Sequence, residues 1–319
     1  MAVKPWLGAI KEPTQPYYKG SGKAPKTGLQ LEYAHGYRTK DCRNNLKYLS
    51  TDEISYHTAG LGVVMDISSS PHEQFFFDKH TDDIISMAWN ADKTVMFTGE
   101  MGAKPIIHSW DKDGAPLKSY KGVKEGVSAI AVNDRYLVAS GLDDNHYVFV
   151  FDINSGTLLA SEKGGRDVII DMKWADDQHF VSVGVKHYKY WSFEGKAVKG
   201  KNGSFGKTNC NILCCVAIAE QKILTGASDG SLHIWGGNSI SKSQKKLHSK
   251  AINALCIHEN VVLTGSNDHT IKILSLDGFA VLNTIDCDKL LERSVNRSIR
   301  ALDAIDNKVL IGTLGSEIY

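Results

Sequence analysis

Ile84-Ile85-Ser86-Met87-Ala88-Trp89, followed by Val95-Met96-Phe97-Thr98-Gly99, is one copy of the phrase that decides the fold. It returns as Val127-Ser128-Ala129-Ile130-Ala131-Val132 with Tyr136-Leu137-Val138-Ala139-Ser140-Gly141. Its second half recurs as Val181-Ser182-Val183-Gly184, Ile223-Leu224-Thr225-Gly226, Val262-Leu263-Thr264-Gly265 and Leu310-Ile311-Gly312, with an earlier relative in Ile54–Gly60. The glycines at 60, 99, 141, 184, 226, 265 and 312 stand 39 to 47 residues apart. Helical solenoids share such periods, so strand type must decide. The repeats alternate apolar and polar residues, favour Val, Ile, Thr and aromatics, and turn at Gly, Asp and Asn, while no segment carries a helical stripe. The expected architecture is all-β: a propeller of about seven four-stranded blades.

Ser228-Asp229-Gly230-Ser231-Leu232-His233-Ile234-Trp235 reads as a tight turn feeding a third strand that ends in Trp, and Asn267-Asp268-His269-Thr270-Ile271-Lys272-Ile273-Leu274 repeats it with Leu for Trp. These resemble the WD40 family, in which a His, a Ser/Thr, the turn Asp and the Trp form one hydrogen-bonded set. The resemblance implies such a set for His248, Thr264 and Asp268, without an indole at Leu274. It implies another for His80, Thr98 and Trp110, whose turn (Glu100-Met101-Gly102) lacks the Asp. These residues read as structural. The last repeat ends after about two of its four strands, and the first lacks an obvious innermost strand. Either residues 29–50 help close the ring, or the chain is an excerpt of a longer protein; the excerpt is the preferred reading.

Residues 1–28 are rich in Lys, Gly and Pro and read as an extended basic linker. Residues 29–50 open with a short alternating strand and continue into a polar segment studded with aromatics. Gly36-Tyr37-Arg38 with Asp41-Cys42-Arg43-Asn44-Asn45-Leu46 resembles the HELP motif of the echinoderm microtubule-associated protein-like family, with Thr39 where Gly is expected. Residues 51–319 would then be the WD40 propeller, the first of a tandem pair and truncated. The resemblance implies that Tyr33, Gly36, Tyr37, Arg38, Asp41, Arg43 and Asn45 have structural roles, with Tyr33, Tyr37, Leu46 and Tyr48 as core candidates. It also implies a microtubule-associated scaffold whose partners are tubulin or the microtubule and other cytoskeletal or ciliary proteins, in the cytoplasm, on microtubules or in the cilium. Residues 1–28 carry no heptads, so the chain resembles the branch without a coiled coil. The alternative is a generic WD40 adaptor in an unrelated complex.

Composition bounds the rest. The net charge of +1 hides nine Lys/Arg against three Asp/Glu in residues 1–50 and 28 against 33 in residues 51–319, so the basic arm favours an acidic partner. No apolar run is long enough for a membrane helix, and the start lacks a signal-peptide core. The six cysteines read as reduced thiols; Cys214 and Cys215 point to opposite faces of one strand, which argues against a shared metal, and no metal or cofactor is expected. Gly226-Ala227-Ser228-Asp229-Gly230 matches the nucleophile pattern G-x-S-x-G but falls between strands of a hairpin instead of at a strand-to-helix turn, so no catalysis is expected. Gly195–Asn202 and Gly206-Lys207-Thr208 are imperfect phosphate loops with no helix to follow. Lys196, Lys199, Lys201 and Lys207, read as a loop before the fifth blade, and Lys242, Lys245 and Lys246, read as the next connection, are expected to share one rim and offer an acidic partner a docking surface. The aromatics fall in strands and do not interleave with these charges, so nucleic acid is not an expected partner.

Overall fold

The computed structural model describes residues 27–206, 212–219, 222–291 and 294–319. The chain divides into two compact units, Met1–Tyr33 and Ala34–Tyr319. In the first, the described residues 27–33 form no strand, and Leu29 and Leu31 are exposed. Among the described residues the alternation there has no partner strand, so pattern alone does not make a ladder.

Everything below concerns the second unit. The first blade holds β1 (Leu46–Tyr48), β2 (Glu53–Thr58), β3 (Leu61–Asp66) and β4 (Glu73–Phe77). The second holds β5 (Ile84–Trp89), β6 (Val95–Glu100), β7 (Ile106–Asp111) and β8 (Pro116–Lys121). In the third are β9 (Val127–Val132), β10 (Tyr136–Gly141), β11 (Val148–Asp152) and β12 (Leu158–Glu162). The fourth contains β13 (Ile169–Trp174), β14 (His179–Gly184), β15 (His187–Phe193) and β16 (Val198–Asn202). Next come β17 (Leu213–Ala219), β18 (Lys222–Ala227), β19 (Leu232–Gly236) and β20 (Ser239–Gln244). The sixth blade has β21 (Ile252–His258), β22 (Val261–Ser266), β23 (Thr270–Ser275) and β24 (Val281–Asp286), followed by a single helical turn, α1 (Cys287–Leu290). A two-stranded seventh sheet pairs β25 (Ile299–Ile305) with β26 (Lys308–Thr313). Glu317–Tyr319 run back along β26, the Tyr319 amide donating to the Ile311 carbonyl at 2.9 Å. Six full blades and a partial seventh agree with the repeat count.

Each blade is an antiparallel meander, and the first strands of successive blades run in the same direction along the axis. The ring is closed by residues 46–48. Leu46 and Tyr48 pack with Ile54, Tyr56 and Val63 of the first blade and with Ala301 and Leu310 of the seventh. The Tyr48 amide also donates to Asp303 on β25 at 2.9 Å, 255 residues away in sequence.

The repeating glycine has a packing cause. A Cβ on Gly99, Gly226 or Gly265 would stand 2.4–2.7 Å from the first residue of the next blade's inner strand: Val127, Ile252 and Ile299 respectively. At Gly312 the first residue of the next inner strand, Leu46, stands farther off at 3.2 Å, and Tyr37 takes the close place, its hydroxyl 2.1 Å from where a Cβ would be. Tryptophans fill the space between blades: Trp110, Trp191 and Trp235 are fully buried, each removing roughly 200 Å² of surface, on the order of 5 kcal/mol in transfer terms.

The expected hydrogen-bonded sets form. His248 faces Thr264 Oγ1 at 2.8 Å through Nε2 and Asp268 at 3.1 Å through Nδ1. In the second blade His80 Nε2 meets Thr98 Oγ1 at 2.7 Å, and the Trp110 indole donates to the same oxygen at 3.0 Å. The missing Asp is replaced by Glu100 at the end of β6. Its carboxylate faces His80 Nδ1 at 3.0 Å and accepts from the Thr81 and Ile106 amides at 2.8 and 3.0 Å. Glu100→Leu strands these buried donors and is expected to cost about 2–3 kcal/mol, read as a lower urea midpoint with unchanged slope.

Candidate functional site

The segment from Gly36 to Asn45 forms a plug across the end of the ring where the inner strands begin. Gly36 takes a φ of +74°, which turns the chain inward without strain. Tyr37 is buried, and its hydroxyl donates to the Thr313 carbonyl at 3.3 Å. The Arg38 guanidinium clasps both Asp41 oxygens at 2.7 Å and reaches Asp83 at 2.6 Å, ahead of β5. That fork holds the Asp41 carboxyl below its ordinary range. The thiol of Cys42 donates to the Ile85 carbonyl at 3.2 Å, and burial pushes it up to about 12. Arg43 Nε donates to Asn253 on β21 at 3.2 Å, and the Asn44 amide donates to the Arg300 carbonyl on β25 at 3.1 Å. Asn44 Nδ2 donates to Asp171 on β13 at 3.3 Å, while Asn45 Nδ2 donates to the Arg38 carbonyl at 2.6 Å and faces His57 Nε2 at 3.2 Å. One short segment thus ties the inner strands of blades two, four, six and seven.

On the other side of the plug lies a cavity of about 440 Å³ that opens at the far ends of the inner strands. Asn44, Lys47, Trp89, Lys93, Lys173 and Trp174 are among its lining residues. Lys47 is paired with Asp303 at 2.9 Å, with Lys93 3.8 Å from the same carboxylate. The disc therefore has a plug face, carrying the connections between blades and the second hairpin turn of each, and a cavity face, carrying the first and third hairpin turns.

Of the residues expected to be structural, Gly36, Tyr37, Arg38, Asp41, Arg43 and Asn45 all lie in the plug. Tyr33 does not join a core: it belongs to the N-terminal unit and is 37% exposed. The lysines do not share one rim. Val198–Asn202 is the outermost strand of the fourth blade, so Lys199 and Lys201 stand on a strand, and Lys196 occupies the β15–β16 turn on the cavity face. Lys242 lies on β20, its ammonium donating to the Gly278 carbonyl at 3.1 Å and sitting over the Phe279 ring. Only Lys245 and Lys246 fall in a connection on the plug face, and Lys207 lies outside the described residues. The described cysteines, Cys42, Cys214, Cys215, Cys256 and Cys287, are buried free thiols, and Cys210 is outside the described residues. Among the described residues no group of three His, Cys, Asp or Glu side chains converges as a metal site would require, and no helix is long and apolar enough to cross a membrane.

A sequence model of the echinoderm microtubule-associated protein first beta-propeller matches residues 73–319, and one of the HELP motif matches residues 24–63. The chain belongs to this family. Its relatives include the ciliary WD repeat-containing protein ctxp80 of Euplotoides octocarinatus, 30% identical, with 98% of this chain and 46% of the relative covered. Echinoderm microtubule-associated protein-like 1 of Mus musculus is 26% identical, over 82% of this chain and 34% of its own. The 77 kDa echinoderm microtubule-associated protein of Strongylocentrotus purpuratus is 27% identical, over 76% and 38%. The chain thus spans between a third and a half of the length of these relatives. Among solved structures, the WD40 β-propeller of Doa1 superimposes with a TM-score of 0.70 at 13% identity, covering 90% of this chain and 95% of that one. A computationally designed protein, Ika8, gives a TM-score of 0.64 at 18% identity, covering 90% and 98%. Those two likenesses concern the fold alone. In this family member the HELP match overlaps the first blade, because the strand Leu46–Tyr48 is part of both.

Proposed function

We propose that the chain is the propeller part of a non-catalytic, microtubule-associated scaffold that presents its loops to tubulin or to neighbouring cytoskeletal and ciliary proteins. The carrying observation is the family match over residues 73–319. Relatives named as microtubule-associated and as ciliary support the same reading and a place on microtubules of the cytoplasm or cilium. The plug supports it physically. A ring tied through its centre holds the surface loops in fixed relative positions, which lowers the entropy lost on docking.

The test is co-sedimentation of the 319-residue chain with taxol-stabilised microtubules, with capture of soluble tubulin run in parallel. Pelleting or capture that weakens as salt rises is expected, because charge steers contact with an acidic partner. Failure of both assays at low salt would remove the microtubule reading. Crosslinking in native extract to a defined non-cytoskeletal complex would favour the adaptor instead.

A further inference from the structure

The two faces of the disc carry different charge. Each first hairpin turn contains an acid: Asp52, Asp92, Asp134, Asp176 with Asp177, Glu259 and Asp306 in the described turns. All of these side chains are exposed, and together they ring the mouth of the cavity. Asp113, Glu194 and Asp277 in the outer hairpin turns add to the same face, against Lys93, Lys112, Arg135, Lys196 and Lys308, with Lys47 and Lys173 inside the cavity. On the plug face, the connections of blades one to three expose Lys79, Lys104, Lys121 and Lys124 beside Asp78, Asp82, Glu125 and Asp144, whereas exposed cations outnumber exposed acids over blades four to six. The connections β12–β13, β14–β15 and β20–β21 expose Lys163, Arg166, Lys186, Lys245, Lys246 and Lys250. The acids of that sector are fewer and partly engaged: Glu162, Asp167, Asp229 and Asp286 lie there, Asp288 is paired with His269 and Arg297, and Asp268 is folded back onto His248 and Thr270.

We infer that the plug face over blades four to six is the surface that meets the acidic exterior of tubulin, with the cavity face turned away from it. This rests on the microtubule reading above and adds the direction of docking. An acidic ring brought against an acidic surface is repelled, whereas six exposed cations from three connections of blades four to six attract it, both effects reaching about a Debye length, roughly 8 Å at physiological salt. The cations emerge from connections beside inner strands tied by the plug, so they are presented together and do not have to be gathered on binding.

The test compares two charge-neutralised forms of the 319-residue chain in microtubule co-sedimentation. One carries Lys245→Gln, Lys246→Gln and Lys250→Gln; the other carries Asp134→Asn, Asp177→Asn and Glu259→Gln. All six side chains are exposed, so thermal midpoints close to that of the unaltered chain will show that folding is intact. The lysine form is expected to bind about tenfold more weakly, with a shallower dependence on salt, and the acid form to stay within about twofold of the unaltered chain. If the lysine form binds as well as the unaltered chain, or the acid form is the weaker one, the direction of docking is wrong while microtubule binding stands. If the unaltered chain neither pellets nor captures soluble tubulin at low salt, both readings fall.

Discussion

Tyr37→Ala is expected to destabilise the propeller by about 3–5 kcal/mol, the range for removing a large buried aromatic side chain. The ring is 3% exposed, meets Tyr56 edge-on at 6.3 Å, and lies against Gly312 at the junction of the last sheet with the first blade. Its loss leaves a cavity at the one blade junction that depends on the leader segment. Gly312→Ala attacks the same contact from the other side, since the added methyl falls on the Tyr37 hydroxyl; overpacking of this kind costs about 1–3 kcal/mol. The double variant should cost less than the sum, because removing the ring makes room for the methyl. Urea denaturation of the three variants measures this. Full additivity would show that Tyr37 and Gly312 are not in the contact described.

Acid is the second large lever. Burial holds His80 and His187 down to about 4 and His57 to about 3, from an ordinary 6.5. His57 Nδ1 also has no hydrogen-bond partner among the described residues. A histidine that resists protonation only in the folded state contributes its full stabilisation above 6.5. That contribution is lost as pH falls toward the folded value, because the unfolded chain takes up the proton first. At pH 5 the loss is about 2 kcal/mol for each of the three, on the order of 6 kcal/mol together. Domains are stable by only about 5–15 kcal/mol, so the thermal midpoint should fall steeply between pH 7 and 5. Asp268, held below its ordinary 3.8 with burial opposed by bonds from His248 and Thr270, extends the loss only at lower pH. A midpoint that stays flat from pH 7 to 5 would show that these imidazoles are not buried as neutral groups.

Much of the fold is legible because blades two, five, six and seven place a glycine at one register of the second strand, where Ser140 and Val183 stand in blades three and four. Gly99, Gly226 and Gly265 mark positions where the next blade presses on the backbone, and so they set the period. The His248 and His80 sets were legible from spacing, although Glu100 at a strand end was not seen as the missing carboxylate. Strand β1 escaped notice because three residues show no alternation. The strand at 198–202 was read as a loop for a related reason. An outermost strand is wet on its exposed side, so Val198-Lys199-Gly200-Lys201-Asn202 carries one apolar residue and no period. The acidic ring becomes visible only when the hairpin turns of all blades are aligned, since a single Asp in a turn is ordinary turn chemistry.

The bond from the Tyr48 amide to Asp303 bears on how the molecule is made. Its two ends leave the ribosome 255 residues apart, so the leader strand must wait, unpaired with its final neighbour, until Asp303 has been synthesised. Contacts of such long range slow folding through the entropy of closing the loop between them. Blades two to six can each stack on the one before as they emerge, but the disc stays an open arc until β25 arrives. During that interval the inner edge of the first blade and the apolar side of the latest one are both uncovered. A nascent propeller of this kind is therefore most prone to aggregate just before its seventh sheet emerges.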